Sequence, residues 1–500
     1  MDFVESYNLF LNFLDRIPLR TSSSNADPFQ RIAFLVTPWM FTQVPWYSLT
    51  LALLCHNSGR DVCFIWDDLL FNDAHATGFQ NKIIGTVLER LNIAIPYYRL
   101  SEMPALNPVP EDDLEIERLS RANAIWAIRS SVPSSKMDYL RNHFATSLKR
   151  NLPHIQGLFK MIKMDHMIIP GGIYGNTGLL LRMGRKVGVR TATYDAGFGA
   201  MLIGVDDVAA HQMDIPKLLK PDSFIYKNGI KEQAIEIALE EFRLRKEGKD
   251  VASSQAQAYS MTDLQIPCDV LIPINLEWDA AQLDKFLFFE DDCHWLTETI
   301  NFLLNNSTAV IVVRQHPADR FHGNTGRKLA AHLSQVFHDN ARFRFISCDE
   351  SVNTYKLIET ATLVLPSTST TGIEAAMLGK PVVVCTNVYY SKLSFVQCVA
   401  SKEAYFEKIK HTLIDKPQAT YQVIEEAALC YFLMFSNRIY TDFTPQPTDY
   451  SKWISKPFDA LVADRKATTI LNSLNQKIPA SLLNSSAKLR IDMEKLTNEY

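Results

Sequence analysis

The eight cysteines are scattered along 500 residues, with no CxxC pair and no Cys/His group at zinc-ligand spacing. That leaves no zinc site to expect and predicts reduced thiols in the core of a cytoplasmic protein. No apolar run reaches the ~18–20 residues that a membrane-crossing helix needs. The formal net charge is -4, so there is no basic excess with which to bind nucleic acid. GxGxxG is missing from the first strand–helix turn, which argues against a dinucleotide there. No DxD pair stands after a predicted strand to hold a metal. Asp67-Asp68 and Asp206-Asp207 are adjacent pairs, and they read as turn or solvated acids. No repeat at a solenoid period is present. A secretory signal is also lacking: the start is acidic, with Asp2 and Glu5, and its apolar positions are interrupted. The first twenty residues read instead as an amphipathic helix. Phe3, Phe10, Phe13, Leu14 and Ile17 would dock it onto the body, because it has no Lys/Arg-rich face for a membrane.

What the chain does contain is an ordinary globular composition, 47% hydrophobic and 21% charged. Five hundred residues exceed one core, so two or three domains are expected. Strands and helices alternate. Arg31 to Thr37, Val62 to Trp66, Met167 to Pro170 and Val189 to Tyr194 read as buried strands of a first parallel sheet. Residues 111–164 read as helical with a break at Ser131 to Ser135. Lys246 to Thr262 is the best linker, and Thr21 to Asp27 is a shorter one. Cys268 to Ile274, Ala309 to Arg314, Arg342 to Ile346 and Ala361 to Leu365 read as a second sheet. The expected division is therefore 1–30 helix and linker, 31–262 first α/β domain, 263–400 second α/β domain, and 401–500 a helical tail packing back on both.

The stretch from Leu363 to Val384 (LVLPSTSTTGIEAAMLGKPVVV) concentrates chemistry. A buried strand stops at Pro366, and five hydroxyl residues follow, Ser367 to Thr371. Gly372 permits a close turn into a short helix with Glu374 in its first turn. A helix N-terminus offers unpaired N–H groups to an anion, and hydroxyls can donate to phosphate oxygens. Glu374 can accept from the two hydroxyls of a ribose. A plain capped βα turn is the competing reading.

Two other segments end at the same rim of this predicted sheet. Asn275 to Asp279 supplies Glu277 and Asp279, and Arg314 to Pro317 supplies Arg314 and His316. The C-terminal strand ends of a parallel sheet share one edge, so these groups can converge into a nucleotide-phosphate site. In the first half, Asp195 lies within Tyr194-Asp195-Ala196-Gly197-Phe198-Gly199, at the corresponding rim of the first sheet. It is either a site acid or a turn acid.

These motifs resemble a known family. Arg314-x-His316-Pro317, then Ser351 to Ala361, then S-T-x-x-G-x-E-A-x-x-x-G-K-P-V from Ser369, are similar to the capsule polysaccharide biosynthesis glycosyltransferases. That group includes bacterial capsule Kdo transferases, and the same motifs look like those of bacterial sialyltransferases. The resemblance is sharpest over 268–395. It implies a GT-B-like α/β architecture, with two Rossmann-like parallel-sheet domains facing a cleft and a helical C-terminal tail. It implies that His316 and the Ser369/Thr370 loop bind donor phosphate, that Glu374 binds ribose, and that Asp195 acts as base beside the acceptor. The chain departs from the Kdo-transferase pattern after Pro381, so the resemblance does not specify the sugar.

A sugar transferase of this type would stabilise charge on the leaving phosphate with Arg314, His316 and the hydroxyls Ser367, Ser369, Thr370 and Thr371, without a metal or further cofactor. The donor would be a CMP- or UDP-linked sugar, and the acceptor a polysaccharide or glycolipid. An inverting enzyme needs a general base, for which Asp195 ranks before Asp279 and Glu277. The location expected is cytoplasmic, with peripheral contact to the inner membrane face or an assembly complex. Two other functions fit the same motifs. One is a nucleotide-sugar epimerase or hydrolase of the same fold. The other is a non-catalytic carbohydrate-binding assembly protein, in which Trp39 to Trp46 would stack on sugar rings.

Overall fold

The computed structural model describes residues 3–17, 19, 31–39, 44–69, 74–107, 112–197, 200–249, 266–440 and 447–500. The linker Thr21 to Asp27 and most of Lys246 to Thr262 lie outside these residues. The chain divides into two compact units. The first comprises 1–123, 139–212 and 436–500; the second comprises 124–138 and 213–435. The division thus falls at 212/213 and not at 262/263, and the helical tail is shared: 401–435 go with the second unit and 436–500 with the first.

The first unit is built on a seven-stranded sheet. Its strands are β1 (Ile32–Val36), β2 (Val62–Trp66), β3 (Tyr97–Arg99), β4 (His166–Pro170), β5 (Arg190–Gly197), β6 (Ala200–Val205) and, later in the chain, Ile439–Tyr440. β1, β2 and β4 are buried at every position, as a parallel sheet covered on both faces requires. The spatial order runs from Ile439–Tyr440 through β6, β5, β4, β1 and β2 to β3. Strands β3 to β5 in this order form a parallel Rossmann-like core. β6 then returns antiparallel to β5.

The first helix, Phe3–Leu14, docks as its pattern predicts. Phe3, Phe10, Phe13 and Leu14 are buried in the core of the first unit; Phe3 and Phe10 lie against the Trp46 ring of the helix Val44–Asn57, and the Trp46 indole N–H donates to the Phe3 carbonyl at 3.1 Å. Burying such side chains contributes on the order of 2 kcal/mol each. The expected helical break appears between Asp112–Ile128 and Ser135–Met161.

The second unit carries β7 (Val270–Pro273), β8 (Ile311–Arg314), β9 (Phe343–Ile346) and β10 (Leu363–Val364), all parallel. Their order is β10-β7-β8-β9. The order reverses between β7 and β10, and such a reversal opens a crevice at the C-terminal strand ends. Val383–Val384 and Gln397–Cys398 form a separate two-stranded ribbon. All eight cysteines are free, and seven are buried. Among the described residues, no helix is long and apolar enough to cross a membrane.

Candidate functional site

The crevice between β7 and β10 is walled by residues that the sequence singles out, but they are not used alike. Ser367 and Thr368, directly after β10, are buried. Both donate to the Gln282 side-chain oxygen, at 2.8 and 2.6 Å. Gln282 in turn donates to Asp292 at 2.8 Å, and Asn275 after β7 donates to Thr368 at 3.3 Å. These hydroxyls tie β10 to β7. Ser369, Thr370 and Thr371 continue along the rim, with Thr370 and Thr371 half-buried. Ser369 Oγ donates to Thr371 Oγ1 at 3.0 Å. The Tyr390 hydroxyl fixes the loop by donating to the Ser369 carbonyl at 2.7 Å.

The helix that follows, Thr371–Met377, is only two turns long and has no side-chain cap. The N–H groups of Gly372, Ile373 and Glu374 donate to the Ser369 and Thr370 carbonyls. The expectation of unpaired N–H groups awaiting an anion is therefore corrected: tight local bonding occupies three of them. Gly372 also has a different role from the one expected. A Cβ there would come within 2.8 Å of the Tyr390 hydroxyl and 2.9 Å of Pro366, so glycine is needed for close packing.

Glu374 is 4% exposed, which is costly for a carboxylate without a partner. The partner is Arg245, whose Nε donates to Glu374 Oε1 at 3.0 Å and to the Tyr355 hydroxyl at 3.0 Å. Arg245 comes from the helix Lys231–Lys246, outside every motif. Its guanidinium also faces the Phe435 ring, 5.4 Å from the centroid. Burial, followed by the neighbouring Glu374 charge, holds the Tyr355 phenol well above its ordinary value.

Arg314 ends β8 and His316 follows two residues later in the loop beyond it, but they do different things. Arg314 is buried. Its guanidinium donates to the Ser347 carbonyl and, at 3.4 Å, to the Val352 carbonyl. Burial lowers its pKa to about 10. Arg314, expected to face donor phosphate, instead holds the chain that follows β9. His316 is half-buried, and its Nδ1 accepts from the Ala318 N–H at 3.2 Å. That bond makes Nε2 the protonated nitrogen of the neutral ring. Desolvation lowers the imidazole to about 4, against the pull of Asp319 and with the push of Arg245. The loop is pinned by buried Asp319. Its two oxygens accept from the Thr325 N–H and hydroxyl, the Gln315 amide and the Gly326 N–H, at 2.6 to 3.0 Å.

Glu277 and Asp279, proposed as alternative bases, serve as tethers here. Glu277 Oε2 accepts from the Ser131 N–H at 2.6 Å and the Ser131 hydroxyl at 2.5 Å. Desolvation raises Glu277 to about 7 and, with the nearby Glu277 charge, raises Asp292 well above its ordinary range. Asp279 Oδ1 accepts from the Ala281 N–H at 2.9 Å, closing a turn.

In the first unit, Asp195 is not at a strand end. β5 runs through it into the antiparallel hairpin, where it pairs with Leu202. Phe198 and Gly199 lie outside the described residues. Asp67 departs most from expectation. It is buried, not a solvated turn acid. It accepts from Asn176 at 2.9 and 3.2 Å and from the Thr37 hydroxyl at 3.0 Å. These groups follow β2, β4 and β1, around the order reversal of the first sheet. Desolvation raises Asp67 to about 7. Asp68 is paired with Arg99 at 2.9 Å. Trp39 meets Tyr174 edge-on, with ring centroids 5.5 Å apart; residues 40–43 of that aromatic loop lie outside the described residues.

The fold and the rim residues define an α/β protein with two Rossmann-like sheets, the second carrying hydroxyls at its switch point, Glu374 in the helix that follows them, and His316 after the neighbouring β8. Residues 226–394 match the family of capsule polysaccharide biosynthesis proteins. This segment lies wholly within the second unit and contains every motif from Arg314 to Val382; the similarity to that family covers about a third of the chain. No curated protein matches the chain. Among solved structures, a KpsC β-Kdo 2,4-transferase from Thermosulfurimonas dismutans is 13% identical, with 53% of this chain and 79% of that one covered at a TM-score of 0.36. UDP-GlcNAc 2-epimerase of Methanocaldococcus jannaschii is 12% identical over 81% of this chain and all of its own, with a TM-score of 0.28. MurG of Acinetobacter baumannii is 11% identical over 81% and 94%, at 0.26. Likenesses this loose leave the activities in those names with those proteins.

Proposed function

We propose that the chain is a glycosyltransferase that moves a sugar from a nucleotide-sugar donor to a growing surface polysaccharide or glycolipid acceptor. The observation that carries this reading is His316. Its Nδ1 is held by a backbone N–H, which leaves Nε2–H as a neutral donor at the sheet edge. Arg245 lies close enough to influence its titration and binds Glu374, the carboxylate assigned to ribose. In this reading Nε2–H and the hydroxyls of Ser369, Thr370 and Thr371 donate to the donor phosphate. The C1–O–phosphate bond breaks toward them, and they stabilise the negative charge that develops on the leaving group. Ser367 and Thr368 hold the loop in place. The reading needs neither a metal nor a cofactor besides the CMP- or UDP-linked donor. Asp195 is the base assigned to the acceptor hydroxyl, and the enzyme is placed in the cytoplasm, peripheral to the membrane.

Nucleotide binding by the full chain tests the donor site. CMP, UDP, GDP and CDP would be titrated against wild type and His316→Ala. One nucleotide should raise the Tm of wild type, by about 2.7 kcal/mol of stabilisation at a hundred times its Kd, and His316→Ala should lose that shift. Equal shifts in both proteins, or none in either, would remove the donor-site assignment. Donor consumption only when an acceptor glycan is present separates transfer from epimerisation or hydrolysis.

A further inference from the structure

Two neighbouring loops of the first unit share a composition that neither the core nor the donor site uses. One, Lys160-Met161-Ile162-Lys163, ends the helix Ser135–Met161 and leads into β4. The other, Arg185-Lys186-Val187-Gly188-Val189-Arg190, ends the helix Gly175–Lys186 and leads into β5. β4 and β5 are parallel neighbours, and the Arg190 N–H donates to the Asp165 carbonyl at 3.2 Å where the loops enter them. Adjacent strands lie about 4.8 Å apart, so the two loops form one surface. The second loop turns at Gly188, with φ at 78°. The Gly188 and Val189 N–H groups donate back to the Arg185 and Gly184 carbonyls at 3.2 and 2.9 Å, as at a glycine-capped helix end.

The surface is both cationic and apolar. Lys160, Lys163, Arg185, Lys186 and Arg190 are all exposed. Among them, Met161 is 60% exposed and Val187 is 56% exposed. The acids beside them are engaged: Asp165 Oδ2 accepts from the Arg31 N–H at 2.9 Å, and Asp206 meets the Lys477 ammonium at 3.0 Å. This concentration of positive charge runs against a chain whose net charge is -4. Cations at a helix C-terminus also answer the helix dipole, but that role gives no reason to hold two large apolar side chains in water. Each of the two stands beside a lysine, and they do not merge into the contiguous apolar core of a protein interface. Single apolar side chains set among cations match hydrocarbon beneath a layer of negative headgroups.

We propose that this edge of the first sheet docks the protein on an anionic membrane surface, with Met161 and Val187 entering the interface and the flanking lysines and arginines holding headgroup phosphates. The docking rests on the peripheral placement proposed above and gives it a surface. Helices that lead into parallel strands end at the N-terminal edge of the sheet. The docking surface therefore lies at the opposite end of β4 and β5 from the rim where such a sheet binds its ligands.

The test sediments the full chain with vesicles of mixed phosphatidylglycerol and phosphatidylcholine, and with phosphatidylcholine alone, in the absence of nucleotide and glycan. Wild type should sediment with the mixed vesicles only, and less so in high salt. Lys160→Gln/Lys163→Gln should bind about tenfold or more weakly, since each cation near such a surface contributes about fivefold. Met161→Ser/Val187→Ser should weaken binding by about tenfold through lost apolar burial. All four positions are exposed, so both variants should keep the Tm of wild type. Lys328→Gln/Lys410→Gln removes two exposed lysines from the other unit and should bind vesicles as wild type does. All three variants should keep the nucleotide-induced Tm shift, so failure of the docking and failure of the donor-site reading are told apart. The proposal is overturned if wild type does not sediment selectively, if either loop variant binds as wild type does, or if the Lys328/Lys410 variant loses as much. Capture of wild type by poly-glutamate without sedimentation on vesicles would assign an acidic protein in place of the lipid and overturn it equally.

Discussion

Arg245 Nε and Glu374 Oε1 meet at 3.0 Å across 129 residues of sequence, both nearly buried. The arginine makes a second 3.0 Å bond to the Tyr355 hydroxyl. A helix outside every recognisable motif therefore supplies the counter-charge for the carboxylate assigned to ribose. Removing one member of a buried pair leaves the other charged and desolvated. Arg245→Ala should destabilise the protein by about 3–5 kcal/mol, read by denaturant unfolding. Glu374→Gln, which removes a charge but keeps a hydrogen-bonding oxygen, should cost clearly less. Equal stability of Arg245→Ala and wild type would show that the pair does not hold in solution.

The protonation state of His316 gives a second expectation. Its pKa is lowered to about 4, while an unfolded histidine titrates near 6.5. A lowered histidine contributes stability that is present above about 6.5 and is lost as pH falls toward about 4. Between pH 7 and 8 the ring is neutral in both states, so its contribution there is constant. Nucleotide affinity should be level from pH 5.5 to 8 as far as this ring is concerned, because Nε2–H persists throughout. An NMR titration of the His316 ring with a midpoint near 6.5 would refute this account.

The hydroxyl loop should divide by function. Ser367→Ala and Thr368→Val each remove a bond to Gln282. Each should cost about 1–3 kcal/mol of stability, since a buried acceptor loses a partner. Thr370→Val, at a half-buried rim position without a capping bond, should leave stability within about 0.5 kcal/mol and weaken nucleotide binding. Paired unfolding and binding curves would separate the two effects. The idea fails if Thr370→Val unfolds early or Ser367→Ala is neutral.

Glu277 predicts an unusual pH trend. Its pKa rises to about 7 in the folded chain, against about 4.3 in an unfolded one. A raised carboxyl contributes stability that is complete below about 4.3 and is lost as pH rises through 7. Glu277→Gln stays neutral and can still accept from Ser131. The stability of wild type should therefore fall relative to Glu277→Gln between about pH 4.5 and 7, by on the order of 3 kcal/mol in total. Parallel stability–pH curves for the two proteins would exclude the shift.

The central parallel strands of both sheets were legible because a parallel sheet covered on both faces demands continuous apolar runs, and RIAFLVT, MIIP and AVIVVR are such runs; the antiparallel β6 and the edge strand Ile439–Tyr440 were not. The rim was legible because hydroxyl, histidine and acidic residues follow those runs directly. The supporting groups were not. Arg245 sits beside Arg243 and Lys246 on one charged helix, and only packing shows which of them turns inward. Arg314 reads as a phosphate ligand by type, yet the carbonyls of Ser347 and Val352, more than thirty residues on, claim it. Asp67 looks like half of a turn pair until Thr37 and Asn176 close around it from distant positions. The run Tyr194 to Gly199 read as a strand leading into a rim loop, because glycine-rich segments serve hairpins and ligand loops equally well.

Ile439–Tyr440 forms the edge strand beside β6 of the first sheet, and residues 436–500 belong to that same unit. On the ribosome, the strands of this sheet up to β6 emerge more than two hundred residues before their last partner. Domains elsewhere commonly fold as they leave the exit tunnel. This one must wait, with the edge of β6 unpaired, until the whole intervening unit has been synthesised. The synthesis of residues 436–500 therefore sets when the first unit can finish folding, and the interval before it is when the edge of β6 is open to wrong partners and to chaperones.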